Sequence, residues 1–145
     1  MSNTQPYEQN KKKIHILIVD DDPMIRRLFG GRLVEHGYEV IYASDGNEGR
    51  ETARRFQPDI VLMDERMPVM TGTEASVKMK SESETKDIPI ILFTNEDFSL
   101  EAEKMTKELG LDAYVHKSSD FNILLKTIKD VLEKKNTLKI SQEKK

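Results

Sequence analysis

"IHILIVDDDP", residues 14–23, sets five apolar residues in six against three consecutive carboxylates and a proline. The apolar part has the length and β-branched content of a strand, and its near-continuous hydrophobicity predicts burial on both faces. Burial of that kind belongs to a parallel sheet covered by helices on each side. Four further runs repeat the pattern: "EVIYA" (39–43), "DIVLM" (59–63), "IPIILF" (88–93) and "DAYVH" (112–116).

The segments between them have helical spacing. Asp22 and Pro23 suit an N-cap and a first helical position, with Ile25, Leu28, Phe29 and Leu33 on one face before Gly37. Asp45–Gly46 opens a second helix that carries Ala53 and Phe56 and ends before Pro58. The stretch 73–81 offers only Ala75, Val77 and Met79 as apolar residues, and "KSESETKD" after it reads as an exposed loop. Phe98, Ala102, Met105 and Leu109 form a stripe stopped by Gly110. Behind Asp120, Phe121, Leu124, Leu125, Ile128, Val131 and Leu132 form the clearest stripe, which should pack on the sheet. Strand and helix alternating five times predict a doubly wound α/β fold.

Length and composition bound the function. A chain of 145 residues holds one domain, and 37% hydrophobic with 34% charged residues is ordinary for a globular protein. No apolar run approaches a membrane span, and the first 13 residues are polar, ending in Lys11, Lys12 and Lys13, so no signal peptide is expected. Zero cysteines exclude disulfides and thiolate metal sites, in keeping with an expected cytoplasmic location. The net charge of −3 conceals an asymmetry, because residues 1–13 and 135–145 together carry +5 and the middle −8. An acidic middle disfavours direct DNA binding. The expected organisation is a flexible polar tail at 1–12, a domain at 13–135 and a flexible basic tail at 136–145.

In an open parallel sheet, ligands bind beyond the carboxyl ends of the strands. There the first strand delivers Asp20 and Asp21, the third Asp64, the fourth Thr94 and the fifth Lys117. Each residue has a bland reading alone, as a helix-dipole acid, a strand-end hydroxyl or a solvated lysine, but their conjunction does not. Two like charges about 4 Å apart cost about 4 kcal/mol at an effective dielectric of about 20, so three carboxylates require a cation or a proton. Oxygen ligands without His or Cys suit Mg²⁺ or Mn²⁺, and a lysine and a hydroxyl opposite are groups that hold phosphoryl oxygens.

"ILIVDDDPMIRRLF", "PDIVLMDERMPVMTG", "IPIILFTNED" and "LDAYVHK" together resemble the receiver domains of two-component response regulators, across residues 14–134. The resemblance implies a flavodoxin-like five-stranded sheet in the order 2-1-3-4-5 with five helices. It implies that Asp64 is the phosphoacceptor, taking its phosphoryl group from the phosphohistidine of a sensor histidine kinase or a histidine phosphotransfer protein. Mg²⁺ would be held directly by Asp21, Asp64 and the backbone carbonyl of Arg66, and through water by Asp20. Lys117 would pair with Asp64 and then with the phosphoryl group, Thr94 would move onto a phosphoryl oxygen, and Tyr114 would follow that movement. Met67–Pro68 and Gly72 match the loop at the site's edge. The fourth helix, fifth strand and fifth helix are the surface expected to change.

Two departures stand out. Ser118 occupies a position where the family usually has proline after a cis bond; a non-proline cis bond costs roughly 2.5–4 kcal/mol, so a trans or strained bond is expected and the aim of Lys117 is in question. Asn95 stands where a small residue is usual and is expected to narrow access to Asp64. Arg66 and Glu96 lie two residues after Asp64 and Thr94, at positions that influence phosphoryl loss in the family, and their opposite charges could pair across the mouth of the site. His15, His36 and His116 are not read as phosphorelay histidines.

Eleven residues after 134 are too few for an output domain, so a stand-alone receiver is expected, signalling by contact with an unidentified protein target as a monomer or a weak phosphorylation-dependent dimer. A phosphorelay intermediate, passing phosphate to another histidine, is the nearest alternative. From another class, a haloacid-dehalogenase-type phosphatase would use Asp20 and Asp22 as its acid pair, but Met24 replaces its usual Thr or Val and no cap-sized insertion is present.

Overall fold

The computed structural model describes residues 12–98 and 100–143. Five strands, β1 (His15–Val19), β2 (Glu39–Ala43), β3 (Ile60–Met63), β4 (Ile90–Thr94) and β5 (Ala113–His116), alternate with α1 (Pro23–Glu35), α2 (Gly46–Phe56), α3 (Gly72–Ser81), α4 (Ala102–Leu109) and α5 (Phe121–Glu143). The sheet is parallel, in the order β2-β1-β3-β4-β5, so the chain reverses direction across the sheet between β1 and β3.

Period-two alternation divides the core into two layers. Ile16, Ile18, Ile60, Leu62, Ile91 and Phe93 face α1 and α5, where they meet Phe29, Leu33, Leu124 and Ile128. Leu17, Val19, Val61, Met63, Ile90 and Leu92 face the other side, where Ala53, Ala75 and Met79 of α2 and α3 cover them. At the seam of the first layer Phe29 meets Phe93 edge-on, with ring centroids 4.8 Å apart.

The helix starts follow local chemistry. Asp22 caps α1 by accepting from the Met24 N–H, and Asp45 and Thr71 do the same for Glu48 and Glu74 in α2 and α3. Gly110, at φ 72°, ends α4 in the left-handed region.

Several side chains differ from their expected placement. Leu28 and Phe56 are 56% and 62% exposed, and Val77 is also exposed. Leu28 and Val77 each lie one position from a buried residue, Phe29 and Ser76, and one step along a helix turns a side chain by about 100°, while Phe56 is the last residue of α2. Phe98 precedes α4 and packs edge-on against Tyr114, with centroids 6.0 Å apart. Within "KSESETKD", Thr85 is buried, its hydroxyl donating to the Met79 carbonyl.

Past the expected boundary at residue 135, α5 continues to Glu143. No glycine or proline follows Gly110, so nothing local stops the helix. Its added turns carry exposed Leu138 and Ile140, and Leu138 with Val131 borders a groove of about 500 Å³ above Pro89. Of the expected flexible tails, residues 1–11 and 144–145 lie outside the described residues.

The two parts of α5 should respond differently to truncation. Leu124→Ala, within the core, should lower the unfolding free energy in urea by about 2–5 kcal/mol, whereas Leu138→Ala should change it by less than about 0.5 kcal/mol. Comparable losses would show that the added turns are part of the cooperative core.

Candidate functional site

Parallel strands place their carboxyl ends on one edge, and the pairing decides which residues meet there. Val19 lies opposite Met63 in the β1–β3 register, so Asp20 and Asp64 follow side by side. Backbone bonds extend the ladders past the strands: Asp64 N–H donates to the Val19 carbonyl at 2.9 Å, Asp20 N–H to Ala43 at 3.0 Å and Lys117 N–H to Thr94 at 2.9 Å. Asp20, Asp64 and Thr94 are buried, while Asp21 is exposed.

The Lys117 side chain, only 7% exposed, places Nζ 2.5 Å from Asp20 Oδ2 and 3.2 Å from Asp64 Oδ1. Asp20 Oδ1 accepts from the Asp22 N–H at 2.9 Å, and Asp64 Oδ1 from the Glu65 N–H at 2.9 Å. Burial, with the Asp20 charge adding to it, pushes the Asp64 carboxyl above its ordinary range; Lys117 and hydrogen bonding from Thr94 pull it back in part. One ammonium therefore does not fully compensate the carboxylates around it.

Asp20, Asp21 and Asp64 each offer an oxygen, and the three oxygens lie within 4.8 Å of one another. An all-oxygen set with uncompensated negative charge fits a hard divalent cation such as Mg²⁺ or Mn²⁺. Asp22, which a phosphatase reading would need as a second acid, is the N-cap of α1, with Oδ1 held by the Met24 N–H.

The remaining candidates lie around this cluster. Arg66 Nε and Glu96 Oε1 are 2.5 Å apart, joining the β3–α3 loop to the β4–α4 loop as their charges predicted. Tyr114 stands apart from the carboxylates: its hydroxyl donates to the Glu96 carbonyl at 2.8 Å and accepts from the Phe98 N–H. Asn95 is exposed at the start of the β4–α4 loop. Thr94 Oγ1 accepts from the Glu96 N–H at 3.2 Å. The Lys117–Ser118 bond is trans, since no cis bond occurs among the described residues.

The β3–α3 loop owes its shape to contacts that spacing alone did not reveal. Glu65 accepts from the Thr73 N–H at 2.8 Å and from its hydroxyl, stapling the loop to the start of α3. A Cβ on Gly72 would lie 1.9 Å from the Asp64 carbonyl oxygen, so only glycine lets α3 approach the acidic strand end. Val69 is held at φ 72°, strained for a β-branched residue, where Met70 N–H turns back to the Pro68 carbonyl. Arg26 also went unread; its guanidinium donates to the Asp20 carbonyl at 2.6 Å, and its place in the first turn after an acidic strand end was the available signal.

The family model for the response regulator receiver domain matches residues 16–129. Protein PilH of Pseudomonas aeruginosa is 40% identical over 118 residues, covering 81% of this chain and 96% of that protein. Among solved structures, the chemotaxis protein CheY4 of Vibrio cholerae aligns with a TM-score of 0.75 at 32% identity, covering 83% of this chain and 99% of the other. A CheY-like response regulator receiver domain protein from Methanospirillum hungatei gives 0.78 at 31% identity, covering 87% and 98%.

The raised Asp64 carboxyl has a consequence for stability. A native state that holds the proton more tightly than the unfolded chain loses stability as pH rises from the unfolded carboxylate range through the native one. In metal-free buffer at neutral pH, Asp64→Asn should therefore melt a few degrees above wild type, at about 2–4 °C per kcal/mol relieved. The difference should close as the pH is lowered through the carboxylate range; a lower-melting variant, or a pH-independent gap, contradicts this.

Proposed function

The chain belongs to the response regulator receiver domain family of two-component signalling, and from that premise we propose that Asp64 is its phosphoacceptor. The donor is a phosphohistidine on a sensor histidine kinase or a histidine phosphotransfer protein. The observation that carries this reading is the buried Lys117 ammonium set between Asp20 and Asp64 where three carboxylates converge.

A carboxylate oxygen of Asp64 attacks phosphorus, the bond from phosphorus to the donor's imidazole nitrogen breaks, and that nitrogen keeps the electron pair; the product is an acyl phosphate. Asp21, Asp64 and the Arg66 backbone carbonyl would hold Mg²⁺ or Mn²⁺, with Asp20 acting through water, and the cation would offset the negative charge that gathers during transfer. Lys117 serves the same end without entering the covalent chemistry, its ammonium passing from the Asp64 carboxylate to the phosphoryl oxygens. The Thr94 hydroxyl donates to a phosphoryl oxygen, and the Glu96 N–H that it now accepts ties that movement to the β4–α4 loop.

Tyr114 is the next link, since its hydroxyl holds the Glu96 carbonyl and the Phe98 N–H of the same loop. Phosphorylation then shifts the population of α4–β5–α5 conformations, and output is contact with a protein target on that surface. The setting is the cytoplasm; no helix among the described residues is long and apolar enough to cross a membrane. Asn95 and the Arg66–Glu96 pair border the approach to Asp64 and hinder the hydrolytic water.

Incubation with Mg²⁺ and acetyl phosphate, followed by intact mass measurement, should add one labile phosphoryl group to wild type and none to Asp64→Asn. Equal labelling of both, or none of the wild type, defeats the reading. Arg66→Ala should shorten the phosphorylated lifetime about two- to fivefold, the scale of an exposed ion pair worth up to about 1 kcal/mol. An unchanged decay rate would remove the pair from phosphoryl retention.

A further inference from the structure

The groove above Pro89 lies at the edge of the sheet opposite the carboxylates. Pro89 and Asp112 precede β4 and β5, whereas Thr94 ends β4 and Lys117 follows β5, so about 16 Å of strand separates the two edges. Pro89, Val131 and Leu138 supply the apolar part of its lining. Pro89 and Val131 are buried, while Leu138 is 56% exposed on the turns of α5 that run past the sheet.

Five lysines surround this apolar strip: Lys80 from α3, Lys86 from the turn before β4, and Lys134, Lys135 and Lys139 from α5. Against Asp87 and Asp112 they leave a local charge of +3, on a chain whose net charge is −3. Lys80 and Asp112 already serve the fold. Lys80 Nζ donates to the Ile88 carbonyl at 2.8 Å and lies 3.4 Å from Asp112 Oδ2, which also accepts from the Ile90 N–H at 2.7 Å. Among the described residues the other four lysines form no ion pair. A lysine run on one helix is ordinarily a solvated face. Here the lysines come from three elements and border one groove, and Val131, Lys135 and Leu138, spaced i, i+4 and i+7, share one face of α5.

We propose that this groove docks a short acidic segment of a partner protein, with an apolar side chain of the segment against Val131 and Leu138 and its carboxylates against Lys86, Lys134, Lys135 and Lys139. Charge complementarity selects the occupant, and the apolar strip separates it from a mere polyanion. The lining holds no aromatic ring on which a base could stack, and a flat bilayer does not follow a concave surface. The groove is formed with Asp64 unmodified, so docking requires no phosphoryl group and does not depend on Asp64 being the phosphoacceptor.

The test follows amide ¹H–¹⁵N spectra of the full chain during titration with a short peptide in which pairs of glutamates alternate with single leucines. Saturable shifts should fall at residues 86–89, 112 and 131–139. Lys134→Glu with Lys135→Glu should weaken binding about tenfold, and Leu138→Ser about fivefold. The same charge change on α4, Lys104→Glu with Lys107→Glu, should weaken it less than about threefold. Asp64→Asn should bind as wild type does, whatever the outcome of its phosphorylation assay.

Shifts scattered over the surface, no saturable binding, or equal losses from the α4 and α5 charge reversals overturn the proposal. A peptide with serine in place of leucine that binds as well reduces the groove to a charged patch and also overturns it. So does tighter binding of single-stranded DNA or of phosphatidylserine vesicles through the same residues at equal ionic strength, or a concentration-dependent dimer that Leu138→Ser abolishes. The peptide substitutions alter no residue of the chain, so a variant that does not fold leaves the decision intact.

Discussion

One ammonium governs the functional edge. Adjacent parallel strands in this register bring Asp20 and Asp64 together in a buried position, an arrangement that is repulsive by itself. Lys117, arriving from β5 at the far end of the β3–β4–β5 ladder, reaches both carboxylates. Its charge offsets their repulsion in part, and Asp21 adds a further negative group. The fold thus tolerates the cluster without neutralising it, a charge balance that suits a hard divalent cation.

Much of this was legible in the sequence because the signals were doubly determined. Each strand had to be apolar at successive positions to be buried on both faces, and each had to end in a polar group at the same edge. The alternation of Ile16 and Ile18 with Leu17 and Val19 into opposite layers follows directly. Helices were less legible, since one face suffices and the apolar residues outnumber the buried positions. Leu28, Phe56 and Val77 fit a hydrophobic stripe by type, yet Phe29, Ala53, Ala75 and Met79 are the residues of those helices that pack on the sheet.

Contacts between loops were illegible for a different reason. Glu65 with Thr73, Arg26 with the Asp20 carbonyl, and His116 with Asn95 are separated by distances that carry no periodicity. They depend on the angle at which each chain leaves the sheet, which only the assembled fold defines. Gly72 was read as part of a motif, but its physical reason, a Cβ that would strike the Asp64 carbonyl, is a property of packing. The strained turn at Val69 belongs to the same class, held because buried Met67 and Met70 anchor it on either side.

The unbroken α5 turns a local event into a larger displacement. From Phe121 to Leu138 the axis runs about 26 Å, and it begins four residues after Lys117. A helix of this kind behaves as a lever whose short arm lies at the Lys117 turn and whose long arm passes beyond the sheet. A tilt of roughly 10° at the turn would move the backbone at Ile128 by about 2 Å and that at Leu138 by about 4 Å. Mechanical advantage is therefore built into the last helix, and its exposed lysines and leucine travel furthest.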